Sequence, residues 1–254
     1  MGAMDERELN SLLELDDRHW WYRGRRRVIR GELDRLPLAA ASRVLDAGCG
    51  SGRTLDELQD YGDVYGIELD PKAAELARSR GRGEVQVGRL EQLPWDDGFF
   101  DLITCLDVIE HTPDDRVALL EVRRVCKPGG FLVVTVPAYQ ALWSLHDVVN
   151  HHYRRYTRDM LRRAATGAGW RVQRMSSFNS LLLGPAAAFR LLQRRQLRRP
   201  HHDDYTPELT LGPTWLNTVL ERPLQIEARW LARGGKLPAG LSLMAVLENP
   251  GPQA

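Results

Sequence analysis

Apolar residues along this chain fall into short runs of about five, and between the runs they recur at three- and four-residue spacing over ten residues or more. The short runs read as buried strands and the longer stretches as amphipathic helices, and their alternation is that of a parallel sheet with crossover helices. The pattern predicts strands over 43–47, 63–68, 84–87, 100–106, 131–136, 171–177 and 241–247. Asp70 and Thr112 each precede a proline, Pro71 and Pro113, which is the order of a helix cap followed by a first helical residue. KPGG at 127–130 is expected to stop the second of these helices ahead of the fifth strand.

Two stretches lie outside the alternation. Residues 4–38 carry a dense aromatic and cationic block, HWWYRGRRR at 19–27, and residues 179–239 are helical in pattern and precede the last strand at 240–248. Neither has enough apolar periodicity to enclose a core of its own. Both are therefore expected to be appendages on a single domain whose core is 40–178.

Composition changes this picture little. With 43% hydrophobic and 27% charged residues, a chain of 254 is an ordinary globular protein, and a formal net charge of +1 gives no global attraction for nucleic acid. Cys49, Cys105 and Cys126 are too few for a disulfide framework and match no metal knuckle; Cys49 and Cys105 read as small packing residues. No apolar run approaches the roughly 20 residues of a membrane-spanning helix, and the amino-terminal stretch lacks a charged-then-apolar pattern, so a cytoplasmic location is expected.

The chemistry concentrates in RVLDAGCGSG at 43–52. In an open parallel sheet, ligands collect at the carboxyl ends of the strands, and Gly48, Gly50 and Gly52 fall there. Glycines let backbone pass close to a ligand and present helix-start N–H groups to it. The spacing is G-x-G-x-G and not the dinucleotide G-x-G-x-x-G, and Asp46 just ahead of it would repel a pyrophosphate but attract an amine. The second strand ends on Glu68, where a carboxylate commonly receives ribose hydroxyls. The ligand implied carries a ribose at one end and an amine at the other.

VLDAGCGSG, the strand end GIELD, LEQLPW at 90–95, FDLITCLDVIEH at 100–111 and CKPGGFLVVTVP at 126–137 closely resemble, in that order, class I S-adenosylmethionine-dependent methyltransferases of the group called type 11. The resemblance covers roughly 40–178 together with the final LSLMAVLE. It implies an α/β, Rossmann-like sheet of order 3-2-1-4-5-7-6 with the seventh strand antiparallel, a helical amino-terminal lid, and a helical insertion before the last strand. It also implies S-adenosylmethionine as methyl donor and S-adenosylhomocysteine as product. By the same resemblance, Gly48 and Gly50 would pass under the cofactor, Asp46 would lie near its amino group, and Glu68 would hold both ribose hydroxyls. Leu69 would pack on adenine, and the Leu106 carbonyl would receive the methionine ammonium. Arg89 stands where relatives carry an aspartate, which leaves the Leu90 backbone N–H as the adenine contact.

Methyl transfer from a sulfonium is an in-line displacement, so an enzyme has mainly to orient two reactants, exclude water and, for some acceptors, remove a proton. WSLHDVVNHHYRRYT at 143–157 is similar to an HD-then-HxRRYT pattern in bacterial type 11 methyltransferases that also carry the HWW block; the matching positions are His146, Asp147, His152, Arg154, Arg155 and Tyr156. His146 with Asp147 alongside is a candidate general base, with His152 near it and His111 after the fourth strand as a second candidate. The same side chains could instead tie the loop down. A metal held by His146, Asp147, His151 and His152 is a further alternative, but methyl transfer needs none and no metal is assigned.

In HWWYRGRRR, Trp21 and Tyr22 are expected to close over the cofactor while Arg25 pairs with its carboxylate, Trp21 and Arg25 being the contacts singled out. The alternative is that the tryptophans staple the helix to the sheet and the arginines form a solvated face. The basic stretch 186–199 resembles an amphipathic helix that would rest on an anionic bilayer, pack on its own domain, pair with a second copy of the chain, or cover a substrate. The expected acceptor is a small molecule, a sugar or a lipid-linked compound. Nucleic acid ranks below these, because no basic stripe with stacking aromatics runs across the fold. The alternative from another class is a regulatory or sensor module that binds the cofactor without transferring its methyl group.

Overall fold

A computed structural model describes residues 16–188 and 213–251, apart from the side chains of Leu145 and His146. Seven strands, β1 Ser42–Ala47, β2 Gly62–Glu68, β3 Glu84–Val87, β4 Phe100–Leu106, β5 Cys126–Pro137, β6 Arg171–Phe178 and β7 Ser242–Glu248, form one sheet in the order β3-β2-β1-β4-β5-β7-β6. The first five run parallel, and β7 lies antiparallel between β5 and β6. This is the expected Rossmann-like sheet.

Two details differ from the sequence reading. The helix α4 Asp115–Val125 is capped by Asp114, whose carboxylate accepts from the N–H groups of Arg116 and Val117 at 3.0 and 3.2 Å. Thr112 instead closes a 3-10 turn, its hydroxyl donating to the Ile109 carbonyl at 2.7 Å. β5 begins at Cys126, so KPGG lies within the strand and not ahead of it. The lead-in is irregular: the register against β4 shifts between Phe100 and Leu102. The Asn249 side chain, donating to the Cys126 carbonyl at 2.7 Å, helps hold the lead-in against the end of β7.

Side chains alternate between the two faces of the sheet, as the pleat requires, and both faces are covered, as parallel strands require. On one face Leu45, Ile103, Leu132 and Val134 meet Leu119 and Val122 of α4 and Leu161 and Ala165 of α6 Arg158–Gly167. On the other, Val44, Leu102, Val133 and Val246 meet Val28, Ile29 and Leu33 of α1 Trp20–Leu33, Leu55 of α2 Arg53–Leu58, Ala74 of α3 Pro71–Ser79, and Leu224 and Ala228 of α7 Thr214–Ala232.

The helices α1 and α7, from the described parts of the two stretches outside the strand-helix alternation, thus form one layer together. α1 and α7 approach closely because α1 carries Gly24 and Gly31 on its contact face: a Cβ at Gly24 would lie 2.3 Å from Leu224 Cδ1, and one at Gly31 would lie 2.9 Å from Ala232 Cβ. Polar contacts fix the pairing. Trp20 N–H donates to Asn217 Oδ1 at 3.2 Å, Arg23 and Arg27 both reach the buried Glu221 at 3.2 and 3.0 Å, and Arg174 on β6 bonds Glu32 of α1 at 2.9 Å and the Leu231 carbonyl near the end of α7 at 3.3 Å. Val28, Ile29 and Leu33 are core residues, so this part of α1 is a built-in element of the sheet's helical layer and not a flap laid over it.

Of the basic stretch 186–199, residues 189–199 lie outside the described residues. Among the described residues no helix is long and apolar enough to cross a membrane. α7 turns Trp215, Val219, Ile226 and Trp230, which recur at helical spacing, outward. Gly24→Val should force α1 and α7 apart and cost about 1–3 kcal/mol, lowering the melting temperature by about 2–4 °C per kcal/mol; an unchanged melting temperature in calorimetry would contradict the close packing.

Candidate active site

The loops after β1, β2 and β4 open together at one end of the sheet. After β1 the chain turns with positive φ at Gly48, +83°, and Gly50, +53°. The two glycines do different work. A Cβ at Gly48 would strike Val108 Cγ2 at 2.5 Å, so this glycine lets the turn pack against the loop after β4. A Cβ at Gly50 would meet nothing within 4 Å, so its backbone faces open space, the arrangement a closely passing ligand requires.

Glu68, ending β2, braces this turn: Oε2 accepts from the Gly50 N–H at 2.8 Å and Oε1 from the Asp70 N–H at 3.0 Å. A carboxylate has about four lone-pair sites, so each oxygen can accept a further bond from a hydroxyl. Leu69 beside it is 60% exposed, an apolar surface with no core to cover it. Leu90 is buried in the core. Asp46 is buried on β1, and Thr104 on β4 donates to its Oδ1 at 2.6 Å. Burial pushes the Asp46 carboxyl up to about 7, against the opposing effect of the Thr104 hydroxyl.

The end of β4 carries the contact between α1 and the site. Arg25, buried, donates to the Leu106 carbonyl at 3.4 Å and pairs with Asp107 at 2.6 Å. Asp107 is held at φ +58°, a conformation few residues other than glycine adopt. Arg25 thus reaches the end of β4, where its partner is the carboxylate of Asp107. Trp21 stacks on Phe178 with ring centroids 5.7 Å apart and planes 4° apart, which is the staple arrangement and not closure over the strand ends. The arginines of the block divide: Arg25 and Arg26 are buried, Arg26 bonding Asp16 and Glu57 at 3.1 Å each, whereas Arg23 and Arg27 are exposed on the solvent side of α1. His19 caps α1, its Nδ1 accepting from Trp21 N–H at 3.2 Å; burial pushes this imidazole down to about 4, which keeps it an acceptor.

In the segment after β5, Asp147 lies on α5 Leu145–Val149 and is fully buried. Its carboxylate accepts from Arg155 Nε at 2.7 Å, Arg155 Nη2 at 2.9 Å, Ser144 N–H at 2.8 Å and His152 Nδ1 at 2.9 Å. Burial works against the charge, but the bonds from His152 and Arg155 hold the carboxyl well below the usual carboxylate range. Among the described side chains, Asp147 anchors Arg155 and orients His152. The His146 side chain lies outside the described part of the structure. Arg154 bonds Asp115 at 3.1 Å and the Thr112 carbonyl at 3.0 Å, and the buried Tyr156 hydroxyl donates to Asp115 at 2.7 Å. HxRRYT ties this loop to α4 and to the turn after β4.

His152 meets His111 edge to face, ring centroids 4.6 Å apart. His111 is held below its ordinary value by the protein packed around its ring and by His152. Next to them stands a residue the sequence reading passed over. Glu110 is 1% exposed and neither of its carboxyl oxygens has a hydrogen-bond partner. Burial and Asp107 push it well above the usual carboxylate range. Its only sequence signal is its place in LDVIEH, directly before His111. Of the grouping His146, Asp147, His151 and His152, the His146 side chain lies outside the described residues. Asp147 is committed to Arg155, and the cluster among the described residues is Glu110, His111 and His152.

Residues 45–134, from β1 through most of β5, match a family model described as a methyltransferase domain. The chain is 31% identical over 212 residues to an uncharacterized 37.1 kDa protein in transposon TN4556 of Streptomyces fradiae, with 75% of this chain and 61% of that protein covered. It is 32% identical over 149 residues to the ubiquinone biosynthesis O-methyltransferase of Xanthomonas oryzae pv. oryzae, with 53% of this chain and 62% of that one covered. The chain thus spans about three fifths of the length of these curated relatives. A geranyl diphosphate methyltransferase solved in complex with S-adenosylmethionine shares the fold, with a TM-score of 0.58 at 18% identity over 87% of this chain and 85% of that one.

Because Asp147 neutralises a buried Arg155, Asp147→Ala should cost about 3–5 kcal/mol in denaturant unfolding while leaving cofactor affinity within about twofold. A loss below about 1 kcal/mol would contradict its role as the loop's anchor.

Proposed function

We propose that this protein transfers the methyl group of S-adenosylmethionine to a small-molecule, sugar or lipid-linked acceptor. The observation that carries this reading is the convergence of an open glycine turn, a ribose-competent carboxylate and a buried acid at the ends of β1 and β2, within the segment that matches the methyltransferase domain. These groups fit the cofactor. Gly50 gives it close approach, Glu68 receives the ribose hydroxyls on its remaining lone pairs, Leu69 packs on adenine, and Asp46 and the Leu106 carbonyl face the amine. Gly48 keeps the turn in place, the Leu90 N–H serves adenine, and Arg25 steers the cofactor's carboxylate. Trp21 supports that helix from behind. Bound there, the cofactor's sulfonium supplies an electrophilic methyl group.

The proton that a hydroxyl acceptor must lose falls to an imidazole. His111, held neutral by its surroundings, and His152, oriented by Asp147, face the acceptor side, with His146 on the same loop. Peripheral contact with a lipid surface, or pairing with a second copy, is favoured by the outward apolar stripe of Trp215, Val219, Ile226 and Trp230.

Calorimetry with S-adenosylmethionine tests the cofactor assignment. Glu68→Ala should lose about 1.5–3 kcal/mol of binding, roughly ten- to a hundredfold in affinity; unchanged affinity would overturn the role of Glu68. The pH dependence has a definite sign. Asp46 titrates near 7 in the free protein, and an ammonium beside it favours the carboxylate, so binding releases a proton below that pH. Affinity should fall as pH is lowered through 7, by up to about tenfold per unit, and Asp46→Asn should remove the slope. Incubation with labelled cofactor and a metabolite extract should yield labelled product. Tight binding with no product would favour the sensor reading.

A further inference from the structure

We propose that Glu110, His111 and His152 form a binding site for a divalent transition-metal ion of the zinc or iron(II) type, on the acceptor side of the strand ends. Each residue offers a ligand atom within 4.8 Å of the other two. The ligands come from two segments. Glu110 and His111 belong to the 3-10 turn Ile109–His111 after β4, and His152 to the loop after α5. Tyr153 N–H donates to the Glu110 carbonyl at 2.8 Å, so the backbone itself holds the two segments together.

The first argument is Glu110. A carboxyl 1% exposed with both oxygens unpartnered is a rare state for a buried polar group, and such orphans mark functional sites or unsatisfied ion positions. It points to a ligand independently of the histidines beside it.

The second argument is what stands behind the imidazoles. A metal-bound histidine nearly always gives its other ring nitrogen to a carboxylate or a backbone group, which fixes the ring and its tautomer. His152 Nδ1 is bonded to Asp147 Oδ1 at 2.9 Å, and Asp147 is locked in turn by Arg155 at 2.7 Å. An ionised carboxylate only accepts, so Nδ1 carries the proton and Nε2 carries the lone pair. His111 is likewise hydrogen-bonded to the backbone of Asn150. Both rings thus have the outer support that metal ligands have.

The third argument is the donor set. Two imidazole nitrogens and one carboxylate oxygen suit zinc and iron(II), whereas calcium and magnesium take oxygen ligands. An ion about 2.1 Å from each atom needs them roughly 3.4 Å apart, a spacing that atoms all within 4.8 Å of one another reach by small side-chain rotations. Three protein ligands leave coordination positions open. There the ion would hold an acceptor oxygen and lower its pKa, taking over from the imidazoles the task of making it nucleophilic. That role rests on the methyl-transfer reading; uptake of the ion does not.

The test is titration of the full-length, metal-stripped chain with Co2+, followed by its visible ligand-field bands, and with Zn2+ by equilibrium dialysis. One ion per chain is expected. Glu110→Gln, His111→Gln and His152→Gln should each weaken uptake by about tenfold or more, and His151→Gln, outside the cluster, should not. Thermal melting and S-adenosylhomocysteine calorimetry on each variant separate lost ligation from lost folding. Absence of saturable uptake, uptake indifferent to all three cluster substitutions, or equal weakening by His151→Gln would each overturn the site. If cofactor binding persists while ion uptake fails, the metal site falls and the methyl-donor reading stands.

Discussion

The arrangement on which the rest of the molecule depends is the reversal of strand order between β1 and β4. The chain builds outward from β1 through β2 to β3, then returns across the sheet to lay β4 on the other side of β1. Loops on either side of that reversal run in opposite directions, and a crevice opens at the carboxyl ends of the central strands. Each group assigned to cofactor binding comes from a strand end or loop bordering that crevice, or reaches one of them. Asp46 and Thr104, bonded across β1 and β4 at 2.6 Å, sit at the junction itself. The acid is buried because the sheet is covered on both faces, and burial is what raises it to about 7.

The helical layer made by α1 and α7 is coupled to this crevice through single side chains. Its docking uses the cationic block: Arg23 and Arg27 go to Glu221, Arg26 to Asp16 and Glu57, Arg30 to Asp60 and Arg25 to Asp107. Arg25 and Arg26 are consumed within the fold, while Arg23, Arg27 and Arg30 make ion pairs and stay exposed to solvent. Arg25 bonds the end of β4, and Leu106 there lies in the same apolar cluster as Val28, Ile29 and Leu33 of α1.

The strands and the glycine turn were legible because each leaves a local mark: a run of apolar residues, a period, or a residue type that only one backbone conformation needs. The helix start at Asp114 was masked by the stronger-looking Thr112–Pro113 pair, and the irregular start of β5 by glycines that usually end an element. Partnerships were less legible. Trp20 and Asn217 meet across 197 positions, and nothing local announces it. Asp147 meets His152 and Arg155, five and eight positions on, which its place beside His146 in the sequence does not announce. Glu110 was invisible for a different reason: a carboxyl's burial depends on what packs around it, and that packing comes from the loop at 150–156.

A diffraction structure of the chain crystallised with saturating S-adenosylhomocysteine tests the central claim most directly. The account predicts the ribose on the Glu68 carboxylate, adenine against Leu69, and the amine between Asp46 and the Leu106 carbonyl. A nucleoside bound elsewhere on the molecule, or no ligand density at the ends of β1 and β2, would contradict it.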